Sequence, residues 1–394
     1  MPHYLSADEA AQRLGVSKAT LYAYVSRGLL TAHPAGDGRS SCYVKDAVEV
    51  LAKERRRGRR PKEVARSTID WGTPVLESQL TLIEGGRLFY RGRDVVRLAD
   101  QATLEDIAAL LWNADVSQAF PQERPFSTAG YAALLQAVGG APAHDTLMAL
   151  FAAGSLNEPT AIWQQDRARL WPACGALIRL LTAAALQAEV TEEAIHLRLG
   201  RAWGLDAFGC DLLRRALVLC ADHELNASGF TARCVASTDA SLRAAVIGGL
   251  AALSGPRHGA ATFQVERLWG GLRFDALRAD LQERLETGDP LPGFGHPLYP
   301  QGDVRARTLL VPILAQSPQT REIMQAVEAL TGQHPSVDFA LVALRRFLNL
   351  PPGAAFLLFA IGRSVGWIAH ALEQRAHGQL IRPRAIYVGP AAEN

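Results

Sequence analysis

Two of the ten histidines in this 394-residue chain sit in glycine-rich turns: Gly255-Pro256-Arg257-His258-Gly259, and Gly293-Phe294-Gly295-His296-Pro297 running on to Asp303-Val304-Arg305-Ala306. Val337-Asp338-Phe339 adds a carboxylate at the start of an apolar stretch, and Arg363 and Arg382-Pro383-Arg384 add guanidinium groups. These residue types suit carbon–carbon bond formation between an acyl thioester and a keto acid. The methyl group of an acyl thioester is a weak carbon acid. Its proton leaves near neutral pH only to a positioned carboxylate, with a hydrogen-bond donor ready for the enolate oxygen. A keto acid with two carboxylates calls for arginines, whose planar forks bind carboxylates through paired hydrogen bonds. Its carbonyl oxygen takes a proton as the bond forms.

Each residue alone has a plainer reading. Asp338, after His334-Pro335-Ser336-Val337, stands where an aspartate commonly caps a helix. As a base it would be kept ionised by the helix N-terminus while burial raised its pKa. A single histidine in a turn is usually structural. As an enolate donor, His258 gains from flanking glycines that let a thioester approach the backbone. The set matters through its joint spacing: nine residues from His296 to Arg305, 25 from Asp338 to Arg363, and 35 from His223, in Asp222-His223-Glu224-Leu225-Asn226-Ala227-Ser228, to His258.

The elements that must hold these residues are mostly helices. Residues 82–92 read as a hairpin with glycines at its turn. Helical periodicity runs over 104–112, 131–138, 176–187, 192–202, 211–219, 241–253, 274–285, 305–315, 321–330, 339–348 and 354–374. Proline and glycine cluster between these segments, with no repeat and no β/α alternation. The fold class is therefore mostly α. The 354–374 helix is apolar nearly all round, which predicts a central, buried position.

The first residues differ in kind. Residues 1–66 carry 13 Lys/Arg against 7 Asp/Glu, and the remainder 28 against 32. A basic head on a mildly acidic body implies that only the head meets a polyanion. Ser6 caps a short helix with Glu9 at capping-box spacing, Gly15 makes the turn, and Ser17 caps a second helix over 18–26 closed by Gly28. Ala11, Leu14, Val16, Leu21, Val25 and Leu30 form its small core. Gly36-Asp37-Gly38-Arg39 then turns between two extended runs, and another helix covers 45–55. Five cysteines (Cys42, Cys174, Cys210, Cys220 and Cys234) match no metal spacing and read as reduced thiols of a cytoplasmic protein. No apolar run of membrane-spanning length and no secretion signal stand out.

The spaced set resembles the active-site signature of citrate synthases. Tyr90-Arg91-Gly92, Arg363-Ser364-Val365-Gly366-Trp367-Ile368-Ala369-His370, Glu373-Gln374 and Ile381-Arg382-Pro383-Arg384 extend the likeness from about Trp71 to Gly389. The head resembles winged helix-turn-helix modules of the MerR and excisionase type. These resemblances imply a winged module over 1–55, a basic linker over 56–70, a large helical domain over 71–255 and 344–394, and a small one over 256–343 that closes on substrate. They imply that Asp338 removes the methyl proton of acetyl-CoA, His258 stabilises the enolate, and His296 binds and protonates the oxaloacetate carbonyl. His223, Arg305 and Arg363 hold the keto acid. Arg382 does so from a neighbouring subunit of a homodimer. No metal and no cofactor are implied, acyl-CoA being a substrate. In the head, Lys18, Thr20, Tyr22, Arg27 and Arg39 would meet DNA, unless the module serves protein contacts instead. The 54–62 charge run either extends a DNA contact or is a solvated linker.

The chain departs from the citrate synthase pattern at four places. Cys220 stands where a histidine is common, Pro297 where arginine is, Pro300 where a basic residue is, and Gly259-Ala260-Ala261-Thr262 where Gly-Gly-Ala-Asn is. The first two look like the methylcitrate branch. Three readings stay open: a transferase of the tricarboxylic acid cycle condensing acetyl-CoA with oxaloacetate, a 2-methylcitrate synthase using propionyl-CoA, and a DNA-binding regulator with a metabolite-sensing body.

Overall fold

A computed structural model describes residues 4–26, 29–34, 41–58, 76–123, 129–138, 140–385 and 387–390. The chain divides into two units, Met1–Glu77 and Ser78–Asn394.

In the first unit, β1 (Tyr4–Ser6), α1 (Ala7–Leu14), α2 (Lys18–Ser26), β2 (His33–Pro34), β3 (Ser41–Val44) and α3 (Lys45–Gly58) follow in order. The strands form an antiparallel sheet in the order β1-β3-β2, with Tyr4 opposite Val44 and His33 opposite Cys42. Ser6 and Glu9 make the expected capping box, and Gly15 ends α1 with φ +63°, the left-handed geometry that glycine tolerates. Ala10, Ala11, Leu14, Leu21, Leu30, Tyr43, Val48 and Leu51 are buried together, with Val16 and Val25 packed against them. Tyr43 was missing from the core read in the sequence, because alternation in a four-residue strand is too short to show which face is inward. Gly28, the 36–39 turn, Arg27, Arg39 and most of the predicted linker lie outside the described residues.

The second unit opens with β4 (Thr81–Glu84), β5 (Arg87–Tyr90) and β6 (Arg93–Asp94), an antiparallel sheet with Thr81 opposite Tyr90. Helices follow: α4 (Val95–Gln101), α5 (Leu104–Trp112), α6 (Val116–Ala119), α7 (Ala129–Ala137), α8 (Ala143–Gly154), α9 (Arg167–Leu186), α10 (Ile195–Ala202), α11 (Ala207–Cys220), α12 (Ala227–Ala236) and α13 (Leu242–Leu253). After these come α14 (Ala261–Gly271), α15 (Leu277–Glu286), α16 (Val304–Leu310), α17 (Pro318–Thr331), α18 (Val337–Phe347) and α19 (Ala354–His377).

The architecture is helical, as the periodicity predicts. It differs in particular elements: α4, α6, α8, α12 and α14 carried no periodicity signal. In α12, Ala-Ser-Gly-Phe-Thr-Ala-Arg-Cys-Val-Ala has too little apolar contrast to show a stripe, and packing on α13 and α19 supplies the order instead. Two helices, α9 and α19, are also long and apolar enough to cross a membrane, contrary to the sequence reading, but 83% and 94% of their apolar windows are buried within the protein. They are core helices. α19 is the axis, packed on α11, α12, α13, α5 and α18. It approaches the end of α11 closely because of Gly362, where an added methyl carbon would stand 2.9 Å from both Cys220 Cβ and Leu217 O. The Tyr90 hydroxyl lies 3.1 Å from Val218 O and Asp222 O and accepts from Asp222 N, fixing the turn after α11.

Candidate active site

Four segments converge beside the middle of α19, where His258 stands against Phe359 and Cys220 O meets Arg363. The turn after α11 supplies His223, followed by Glu224 in the left-handed region (φ +52°) and locked by Asn226, whose amide donates to His223 O and Glu224 O. The turn before α14 supplies His258. The 293–303 loop supplies His296 and Tyr299, and the start of α18 supplies Asp338. Gly295 N donates to His334 O and Ser336 N donates to Gly293 O, so the His296 loop is tied to the residues that launch α18. Gly293 has φ +88°, and a methyl there would stand 2.8 Å from Val265 Cγ2, so both conformation and space require glycine.

The rings meet at short range. The His223 and His296 centroids are 5.3 Å apart, and His223 Nε2 is 3.0 Å from the Tyr299 hydroxyl. His258 Nε2 lies 2.8 Å from Ser228 Oγ, and its ring stands edge-on to Phe359 at 5.9 Å. All three imidazoles are held neutral. Burial, with Arg363 and Arg305 nearby, lowers His258 to about 3. Burial and Arg305 lower His296 to about 4, against a smaller opposing pull from Asp303. His223 is driven well below its ordinary range by burial and by Arg305, Arg363 and the other two histidines. A neutral imidazole keeps one N–H and one lone pair, which is what a hydrogen-bond donor to an oxyanion requires.

Asp338 lies inside α18, whose N-cap is Ser336, so the capping reading fails. Its Oδ2 accepts from Ser336 Oγ at 3.3 Å, and its Oδ1 is buried with no hydrogen-bond partner. Burial, opposed by Arg305 and reinforced by Asp303, raises its pKa to about 6. The capping is done from elsewhere. Asp303 Oδ2 accepts from Val337 N at 3.1 Å, while Oδ1 accepts from Arg305 N at the head of α16. The same carboxylate grips the Arg305 guanidinium at 3.0 and 2.7 Å, so Arg305 does not present an open fork as the sequence reading pictured. Arg363 donates Nε–H to Cys220 O at 2.8 Å, and its Nη2 is buried without a partner. Burial lowers the Arg363 pKa, with Asp222 opposing and Arg305 adding to the effect. Cys220 is fully buried, and burial pushes its thiol up to about 12, so it is a neutral group beside two arginines.

The structure thus gathers His223, His258, His296, Arg305, Arg363 and Asp338. Arg382 is not among them: it is exposed on the C-terminal segment and has no hydrogen bond or ion pair among the described residues. Sequence reasoning missed Ser228, Tyr299 and Asp303 as working parts. Asp303 and Ser228 lay inside the quoted motifs, two residues from Arg305 and five from His223, but Asp303 also caps Val337, 34 residues on, and Ser228 meets His258, 30 residues on, and only folding reveals these partners. In the head, Lys18 Nζ is 2.7 Å from Asp8 Oδ1, the Thr20 hydroxyl is 3.0 Å from Ser17 Oγ at the start of α2, and Tyr22 is exposed.

Comparison with known proteins adds independent findings. A family model described as "Citrate synthase, C-terminal domain" matches residues 69–384, and one described as "Helix-turn-helix domain" matches residues 4–56. The chain is 29% identical over 387 residues to a citrate synthase of Corynebacterium glutamicum, covering 84% of this chain and 88% of that one. It is 28% identical over 345 residues to a 2-methylcitrate synthase of Shewanella oneidensis, covering 78% and 90%. Among solved structures, the ternary complex of carboxymethyl coenzyme A and oxaloacetate with citrate synthase from Thermoplasma acidophilum superposes with a TM-score of 0.70 at 25% identity, covering 82% of this chain and 96% of that one.

Proposed function

Because the chain belongs to the citrate synthase family, we propose that its body condenses acetyl-CoA with oxaloacetate, giving citrate and free CoA. One observation carries this reading. A carboxylate oxygen of Asp338 and a guanidinium nitrogen of Arg363 are both buried without partners in one cluster. Buried polar groups are ordinarily satisfied, so this pair points to a reactant that completes it. Asp338 takes a methyl proton from the thioester. The Ser228 hydroxyl has one proton for two neighbours, Asn226 Oδ1 and His258 Nε2, each at 2.8 Å. Turned towards the ring, it leaves Nδ1–H of His258 to donate to the enolate oxygen. The methyl carbon bonds to the ketone carbon while the neutral His296 hydrogen-bonds the former carbonyl oxygen through its N–H and passes a proton to it; the proton that Asp338 removed makes good the loss, leaving the imidazole neutral and the carboxylate ionised, and water then cleaves the thioester to release CoA. Arg363 and His223 hold the keto acid. Arg305 contributes the donor that Asp303 leaves free, and its charge. No metal or cofactor takes part in this scheme. The 256–343 segment closes over the reactants and excludes water. Arg382, exposed on its tail, serves the site of a second copy in a homodimer.

A 2-methylcitrate synthase reading is favoured by Cys220 and Pro297 and by the Shewanella relative. One methylene is worth only about 1–3 kcal/mol in a pocket, so both acyl-CoAs must be tried. The experiment is release of CoA thiol with oxaloacetate, comparing acetyl-CoA with propionyl-CoA. Release with acetyl-CoA at higher kcat/KM supports the proposal, a preference for propionyl-CoA replaces it with the second reading, and no release with either removes both. The helix-turn-helix match supports a further role for the head, with Lys18, Thr20 and Tyr22 on a DNA-facing surface. Duplex affinity that falls steeply with salt supports that role, and salt-independent or absent binding refutes it.

A further inference from the structure

The mechanism leaves unused a second buried contact, between a carboxylate and an imidazole. Asp222 and His370 are both fully buried, with His370 Nε2 3.2 Å from Asp222 Oδ1. The other carboxylate oxygen accepts from the Thr81 hydroxyl of β4 at 2.5 Å. Two glycines make room for this arrangement. At Gly366 a methyl would run into Asp222 Oδ1 and Ala221 O, and at Gly229 it would stand 3.4 Å from His370 Cδ2. Gly366 N also donates to Ala221 O at 3.0 Å. Burial pushes the Asp222 carboxyl up, but His370, Arg363 and Thr81 outweigh it and hold its pKa below the ordinary value, so it is ionised.

The location gives the pair its meaning. Asp222 directly precedes His223, and Cys220 O, two residues earlier, receives the Nε–H of Arg363. His370 lies on α19 seven residues beyond Arg363, two helical turns along the same face, with Gly366 between them. Gly229, at the other side of the ring, follows Ser228, the partner of His258. Burying a carboxylate beside an imidazole is costly, and in some proteins such contacts are kept because they fix a geometry that hydrocarbon would leave free.

We propose that Asp222 and His370, completed by Thr81, are positioning residues for the keto-acid half of the site: they set the 220–223 turn so that His223 and the Arg363 guanidinium address one substrate. This inference rests on the function proposed above. His370 touches no reactant, and its loss would loosen keto-acid binding far more than the chemical step.

The test uses the full chain with His370→Leu, the conservative His370→Gln, and Thr81→Val in case the first does not fold. Steady-state kinetics with oxaloacetate and acetyl-CoA should show oxaloacetate KM raised ~10–100-fold in His370→Leu. The rise should be smaller but in the same direction in Thr81→Val. Acetyl-CoA KM and kcat should move by less than about threefold, and His370→Gln should recover most of the loss, its amide replacing the ring N–H. In parallel, the imidazole 15N spectrum of the substrate-free protein reports the His223 tautomer and should shift in both Thr81→Val and His370→Leu. Unchanged oxaloacetate KM in folded variants of an active parent overturns the proposal. So does an equal loss in kcat and both KM values that follows a fall in Tm. If the parent releases no CoA but the His223 signals still move, the positioning role stands and the assigned reaction falls.

Discussion

The two units differ in the charged side chains they bury. In the head, Arg13 and Glu49 pair with side chains about half exposed, and Lys18 and Asp8 pair with side chains 51% and 78% exposed. In the body, Arg363, Asp222, Arg233 and Arg305 are buried to within a few per cent. An exposed pair is worth about 0–1 kcal/mol and is exchanged readily for another partner, such as a phosphate. A buried charge costs several kcal/mol unless matched, so each one in the body is fixed by a named partner or reserved for a ligand. The head is built to rearrange its charges at its surface. The body stores unpaired polar capacity inside.

This contrast is open to attack at several strengths. The largest effect falls on the buried donors. His258→Ala should lower kcat by ~10²–10³ with little change in oxaloacetate KM, measured by CoA release. Arg363→Lys, which keeps the charge but loses the fork, should raise oxaloacetate KM by ~10–100-fold with a smaller effect on kcat. Third is the pH profile. Asp338 must be ionised to act, so kcat/KM should rise with pH through an acid limb near 6. Asp303→Asn removes the charge that raises Asp338 and frees Arg305, which lowers it, so the limb should move to lower pH. A limb that stays in place contradicts the coupling. The smallest effect belongs to the head: Arg13→Ala should change unfolding free energy by no more than about 1 kcal/mol, and less in high salt.

Much of the body was legible because periodicity and motif spacing report what each helix buries and what each turn presents. α5 matched its prediction to the residue, since Thr103 and Asp106 form a capping box and Asn113 ends the helix in the left-handed region. α19 was legible from its apolar character alone. The candidate triplet of His258, His296 and Asp338 was legible only as a set, since each has a structural explanation by itself. What stayed hidden depends on long-range partners. Asp303 reads locally as a cap for α16, and nothing in the sequence says that it also caps α18 and grips Arg305. The same holds for Thr81, which meets Asp222 across 141 residues. α12 was hidden for a different reason: its small residues pack tightly without producing an apolar stripe.

Asp338 offers the sharpest discrimination between a structural and a chemical role. Its folded-state pKa is raised, so folding favours the protonated form, and stability falls as pH rises from about 4 through about 6. At pH 7.5 the ionised carboxylate therefore destabilises the fold, on the order of 2–3 kcal/mol. Asp338→Asn, assayed at that pH for oxaloacetate-dependent release of CoA and for thermal unfolding, measures both consequences together. The expected result is a loss of turnover of ~10²–10⁴ with Tm equal to or above that of the parent. Release at the parent rate, or a loss of rate accompanied by a fall in Tm, would contradict the assignment of Asp338 as the base.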